Sequence, residues 1–186
     1  MYFFKKITPD IHLAQLKSDT YSPAMMLVLG ALLAGIATIL QSAGGIFPGV
    51  GYFISPLATA PILFCFILSF WTGMISYVLT SLLLLIFQPS ELIVFPFTTG
   101  LLGVGLGIAF SRLNKRLNII GIGAAFLTLG IITLLYVFRF PVLGPVVSTA
   151  FSFLTISGIY LFAFLYAWMW VEFVLFFFKK IKNIIP

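Results

Sequence analysis

From Phe53 to Phe87 the chain reads FISPLATAPILFCFILSFWTGMISYVLTSLLLLIF, without a single charged side chain. As one α-helix this stretch would run roughly 50 Å at about 1.5 Å per residue. A bilayer's hydrocarbon core is only about 30 Å thick, so one crossing cannot use it up. The length predicts two short spans with a tight turn near Ser69–Gly73. Pro56 and Pro61 fall in the first of the two, where they are expected to kink it.

Charge parity gives the same division by a separate route. The basic residues form three groups: Lys5, Lys6 and Lys17; Arg112, Lys115 and Arg116; Lys179, Lys180 and Lys182. The positive-inside rule puts all three on the cytoplasmic side, so an even number of crossings must separate them. Span one is read at 23–43, opened by Ser22 as N-cap and Pro23 as first helical residue. Span four is read at 93–111, span five at 118–138 and span six at 146–177. With 53–87 counted as two, four spans precede the middle group and two follow it. The fold class is therefore all-α, a polytopic bundle of six transmembrane helices with both termini cytoplasmic and the chain in the plasma membrane. Residues 1–21 form a cytoplasmic arm, 22–178 the transmembrane domain and 179–186 a basic tail.

Composition excludes a soluble domain. Of 186 residues, 62% are hydrophobic and 8% charged. A soluble domain carries about 25% charged residues because it must solvate its surface; a lipid-facing surface makes no such demand. The net charge of +6 does not indicate nucleic acid, since the basic residues lie at span ends. No cleavable signal peptide is read at the N-terminus, where Pro9, Asp10, His12 and Lys17 interrupt any apolar run. Cys65 is the only cysteine and His12 the only histidine, so neither an intrachain disulfide nor the usual His/Cys metal site is expected. No cofactor is implied. There is no Ser/His/Asp set, no paired intramembrane carboxylates and no phosphate-binding glycine loop, which argues against an enzyme. The spans also lack the buried charges that ion-coupled pumping uses.

A few residues stand out from this apolar background. Gly30/Ala34 and Ala31/Gly35 on span one are small-xxx-small pairs, which let helix backbones approach closely in lipid. They serve either packing within the bundle or docking of another membrane protein. Gly100, Gly103 and Gly107 repeat the device on span four, where internal packing is the stronger reading. Glu91 and Arg139 are the two charges on the expected outer face. An acid at a helix start is favoured by the helix dipole, and an arginine at a span end can snorkel. Together with Gln88, Thr98 and Thr99 they also make the best polar cluster in the chain. Glu172, beside Trp168 and Trp170, is expected to pair with a nearby lysine.

The whole chain resembles the substrate-binding S components of energy-coupling factor (ECF) transporters. The resemblance is carried by the small-residue first span, by ISPLATAP at 54–61 entering span two, by Trp71-Thr72-Gly73 opening span three, and by QPSELIVFPFTTGL at 88–101 leading into span four. It implies capture of a small, vitamin-like molecule at the outer face, with separate coupling and ATPase subunits as partners. Carried over to this sequence, it points to Gly49, Tyr52, Glu91, Thr98, Thr99 and Arg139 for the ligand. It assigns the Gly30, Ala31, Ala34 and Gly35 face to the coupling subunit, although the family's Ala-xxx-Ala pair is not reproduced. Leu40-Gln41-Ser42 in span one is similar to the MreD family of cell-shape scaffold proteins, and another glycine-rich six-helix membrane family would share the same plan.

Overall fold

The computed structural model describes residues 21–47, 49–140 and 153–182. The first twenty residues of the expected arm, the last four of the tail, most of the connection after Arg139 and the expected start of span six, 146–152, lie outside this set. The described residues are helical, with no strand among them, and six of their helical stretches are long and apolar enough to cross a membrane.

Span one is α1 (Pro23–Ile46), and Ser22 caps it by accepting a 3.2 Å hydrogen bond from the Met25 amide. It runs three residues beyond the predicted end, because Gly44, Gly45 and Ile46 remain helical. Span two begins at once with α2 (Gly51–Ile54), tightens into a 3-10 turn at Ser55–Ala58 and continues as α3 (Thr59–Leu68). Pro56 thus sits in a tightened first turn, where its missing N–H costs little. Span three is α4 (Phe70–Phe87), divided from α3 by Ser69 alone, which is extended at φ −159° and ψ 135°. The two-span division of 53–87 holds, and its turn is shorter than predicted.

Span four departs from the single helix expected at 93–111. It is two helices, α5 (Pro89–Phe97) and α6 (Thr99–Arg112), broken at Thr98 with φ −121° and ψ −96°. Pro96 contributes, since a proline inside a helix removes one amide donor and crowds the preceding turn. Span five is α7 (Arg116–Ile132) followed by a π turn over Thr133–Val137. Span six is α8 (Phe153–Lys182).

Two apolar clusters hold the spans together. One joins Leu63 and Ile67 of span two to Leu102 and Leu106 of span four, Ile120 and Leu127 of span five, and Ala163 and Ala167 of span six. The other joins Ala37 of span one, Ile62 and Phe66 of span two, Leu84 of span three and Phe95 of span four. Span two belongs to both. Its i, i+4 pairs Ile62/Phe66 and Leu63/Ile67 lie on adjacent faces of one helix, so it is apolar all round and central. Phe66 is the pivot: its ring lies against Gly73 of span three and Gly107 of span four, where any Cβ would collide with it. Gly100 and Gly103 pack internally too, against Phe95 with Tyr77 and against Ile62 respectively.

Outward faces are equally apolar. Leu27, Val28, Leu32 and Ile39 of span one and Phe153, Leu154 and Leu161 of span six are all exposed. In water that surface would be a large aggregation hazard. Here it meets lipid, and the chain is a multi-pass α-helical membrane protein.

Candidate functional site

The site is built around a side chain that the sequence reading did not place among the candidate site residues. Gln41 of span one is fully buried, at 1% exposure. Its Nε2 donates a 2.8 Å hydrogen bond to Glu91 Oε2, and its Oε1 accepts a 2.7 Å hydrogen bond from the Thr99 hydroxyl. Both functions of the amide are engaged, and the carboxylate sets its orientation: an ionised carboxylate only accepts, so the NH2 group faces Glu91 and the oxygen is left for the Thr99 hydroxyl. Glu91 and Thr99 flank the break in span four, one in the first turn of α5 and the other opening α6. The amide therefore ties the two halves of the broken helix to span one.

Glu91 lies third in α5, where a glutamate can cap its own helix by reaching back to the amide of the N-cap residue. It does not do so. The Gln88 amide donates to the Leu84 carbonyl at 2.8 Å, and the Glu91 carboxylate turns to span one instead. Glu91 Oε1 lies beside Gly44 and Ser55, and a Cβ at Gly44 would stand 3.0 Å from Oε1 and 3.3 Å from Ser55 Oγ. The glycine leaves room for the carboxylate between spans one and two. Gln88 lies against Gly45 in the same way and donates to Ser90 Oγ at 2.9 Å. No cation pairs with Glu91 among the described residues.

The break at Thr98 exposes backbone carbonyls at membrane depth, where they need partners. The Thr98 hydroxyl donates to the Val94 carbonyl at 2.7 Å, and the Tyr77 hydroxyl of span three donates to the Pro96 carbonyl at 3.1 Å. Thr98 thus satisfies a carbonyl at the end of its own helix turn. Broken spans with satisfied, inward-facing ends are where membrane proteins build polar sites.

The remaining candidates fall into place around this node. Glu91 and Thr99 are brought together through Gln41. Gly49 adopts the left-handed φ of +83° in the short turn between spans one and two; its role there is conformational. Tyr52 is 68% exposed, outside the node. Arg139 is exposed, has no hydrogen bond or ion pair among the described residues, and takes a left-handed φ of +53° at the end of span five. With the Phe140 amide donating to the Leu134 carbonyl at 2.8 Å, it performs the chain-terminating job usually given to glycine.

The small-residue face divides in two. Gly30 and Ala34 are buried against span three: the Thr72 methyl lies 3.0 Å from where a Gly30 Cβ would be, and the Thr80 hydroxyl donates to the Ala34 carbonyl at 3.4 Å. Ala31 is exposed, and Gly35 has nothing within 4 Å of a Cβ added to it. Gly35 instead lines an apolar cavity of about 620 Å³ with Thr38, Ser42, Ile54, Leu83 and Phe87. That volume suits a small molecule or a length of hydrocarbon chain. Cys65 is buried, as its apolar surroundings suggest.

At the opposite end, Arg116 of span five pairs with Glu172 of span six at 3.0 Å. The expected lysine partner is replaced by this arginine, because the antiparallel packing of spans five and six sets the two side chains face to face. Tyr21, Pro23, Leu68, Ser69 and Trp71 gather at one end of the bundle. Ser111, just before the middle basic group, donates to the Phe66 carbonyl at 3.3 Å close to that end. The start of span one and the basic residues from Arg112 to Arg116 therefore share one end, as the parity argument requires.

Fold and site together define a multi-pass membrane protein with six spans and a polar node where span one meets the broken helix of span four. No family model, curated protein or solved structure matches the chain.

Proposed function

We propose that this chain is a membrane-embedded substrate-binding subunit, capturing a small vitamin-like molecule at the outer face for uptake by separate coupling and ATPase subunits. One observation carries the reading: a fully buried amide holds a carboxylate and a hydroxyl across the break in span four. Polar and ionisable groups inside a bundle are costly to desolvate, and such groups commonly mark a ligand pathway. The resemblance to ECF S components supports the same end of the molecule, through Glu91 and Thr99. An apolar cavity lined by Ser42, Ala43 and Ile54, sequence neighbours of Gln41 and Ser55, offers space for the hydrocarbon part of a ligand.

In this reading the protein binds and presents rather than catalyses. It lies in the plasma membrane with both termini cytoplasmic, and its basic end faces the cytoplasm by the positive-inside rule. The exposed Ala31 and the uncrowded Gly35 are the part of span one left for a coupling subunit, since Gly30 and Ala34 are spent on span three. Arg139 and Tyr52, exposed at the end of span five and the start of span two, are outer contacts at most.

The test is purification from native membranes in mild detergent, with mass spectrometry of both proteins and small molecules. A coupling subunit, ATPases and a retained small molecule are expected. Their joint absence would sink the proposal. Recovery of cell-wall elongation proteins instead would make the chain an MreD-like scaffold.

A further inference from the structure

Resting on the capture reading above, we propose that the Glu91 node takes a small organic cation. Two acids lie among the described residues, Glu91 and Glu172. Glu172 is neutralised by Arg116 at 3.0 Å. Glu91 is half-buried within a span and meets only a neutral donor, Gln41 Nε2. The amide presents its NH2 group here because an ionised carboxylate only accepts, while the Thr99 hydroxyl serves the amide oxygen. The carboxylate sits in the first turn of α5 but makes no capping hydrogen bond there, and turns to span one instead.

An ionised carboxylate taken out of water without a counter-charge is unfavourable, and a bound cation removes that penalty. A neutral ligand would leave the charge uncompensated, and an anion would be repelled. Glu91 Oε1 is the oxygen left for the ligand, and the Ser55 hydroxyl packs against the same glycine, Gly44, as a second acceptor. One carboxylate and one neutral oxygen fall well short of the roughly six to eight ligands of a calcium site. No group of three metal-ligating side chains exists among the described residues. An ammonium or guanidinium group, needing one charge and a few acceptors, fits this donor set better than a metal ion.

The experiment uses the full chain in lipid nanodiscs, with benzylamine and agmatine as cationic probes and benzyl alcohol and benzoate as neutral and anionic controls. Thermal unfolding and calorimetry give the readout. At least one cation is expected to bind and raise the melting temperature, while both controls leave it unchanged. Glu91→Gln should weaken cation binding by about tenfold or more, and Ser55→Ala, which keeps the carboxylate, by a smaller factor. Failure of both cations to bind the wild type overturns the proposal, as does cation binding that is undiminished in Glu91→Gln. Binding of benzyl alcohol or benzoate at this node overturns the cation assignment while leaving small-molecule capture standing. If no probe binds and no small molecule is retained from native membranes, capture falls with it.

Discussion

Gln41 of span one and Glu91 of span four, 50 positions apart in sequence, are joined by a 2.8 Å hydrogen bond inside the bundle. The bond matters because Gln41 is committed at both ends, to the carboxylate and to Thr99. Losing the amide would orphan an acid and a hydroxyl together.

Gln41→Ala is therefore expected to lower stability by about 2–4 kcal/mol, since two buried polar groups lose their partner. Thr99→Val should cost less, and the two changes should be non-additive because they share one hydrogen bond. Thermal unfolding of the two single variants and the double variant in detergent measures this. Strict additivity would show that the amide does not couple the sites.

Phe66 fills the space left by Gly73 and Gly107. Gly107→Val puts branched carbon where the ring already lies, and overpacking of this kind should cost about 3 kcal/mol. The folded fraction by size-exclusion chromatography should fall. Gly35→Ala, with nothing within 4 Å of the added methyl, should leave it unchanged. Equal behaviour of the two variants would contradict the packing around Phe66.

Arg139 holds a left-handed conformation that glycine adopts without strain. Arg139→Gly should stabilise the protein by about 1 kcal/mol, the usual penalty for an L-residue there. A drop in melting temperature would instead assign the guanidinium a stabilising contact.

Arg116 and Glu172 form a partly buried ion pair, with side-chain exposures of 15% and 33%. Glu172→Gln should destabilise by about 1–2 kcal/mol, more than a surface pair costs and less than a fully buried one. Replacing both residues in the charge-swapped order should recover part of that loss. If the swapped pair is no better than the single variant, the contact is not electrostatic.

Cys65 is the only cysteine and is buried, so an added cysteine can be labelled against a silent background. In intact cells a membrane-impermeant reagent should modify Val50→Cys and leave Lys115→Cys untouched until the membrane is opened. The reverse pattern would invert the orientation.

Much of the fold was legible in the sequence, because a membrane imposes simple arithmetic. A charge-free stretch too long for one crossing had to divide, and three basic groups expected on one side called for an even number of spans between them. The small residues on span four were readable as packing, since lipid gives helices little other means of close approach. Candidate site residues were legible only in part. Glu91 and Thr99 stood out as polar groups beside a span, but Thr98 looked equivalent to Thr99 in sequence. The break turns one hydroxyl back onto its own helix and the other across to span one.

Hydrophobicity and charge depend on composition along the chain, so the sequence by itself determined the membrane environment, the helical class and the division into six spans. Only the tertiary structure decided that Gln41 is the centre of the site, that span four breaks at Thr98, that Glu172 pairs with Arg116, and that the small-residue face of span one is half used internally. Each of these depends on which side chains meet across separate helices. A hydropathy pattern that is apolar on every face carries no record of which face meets which neighbour.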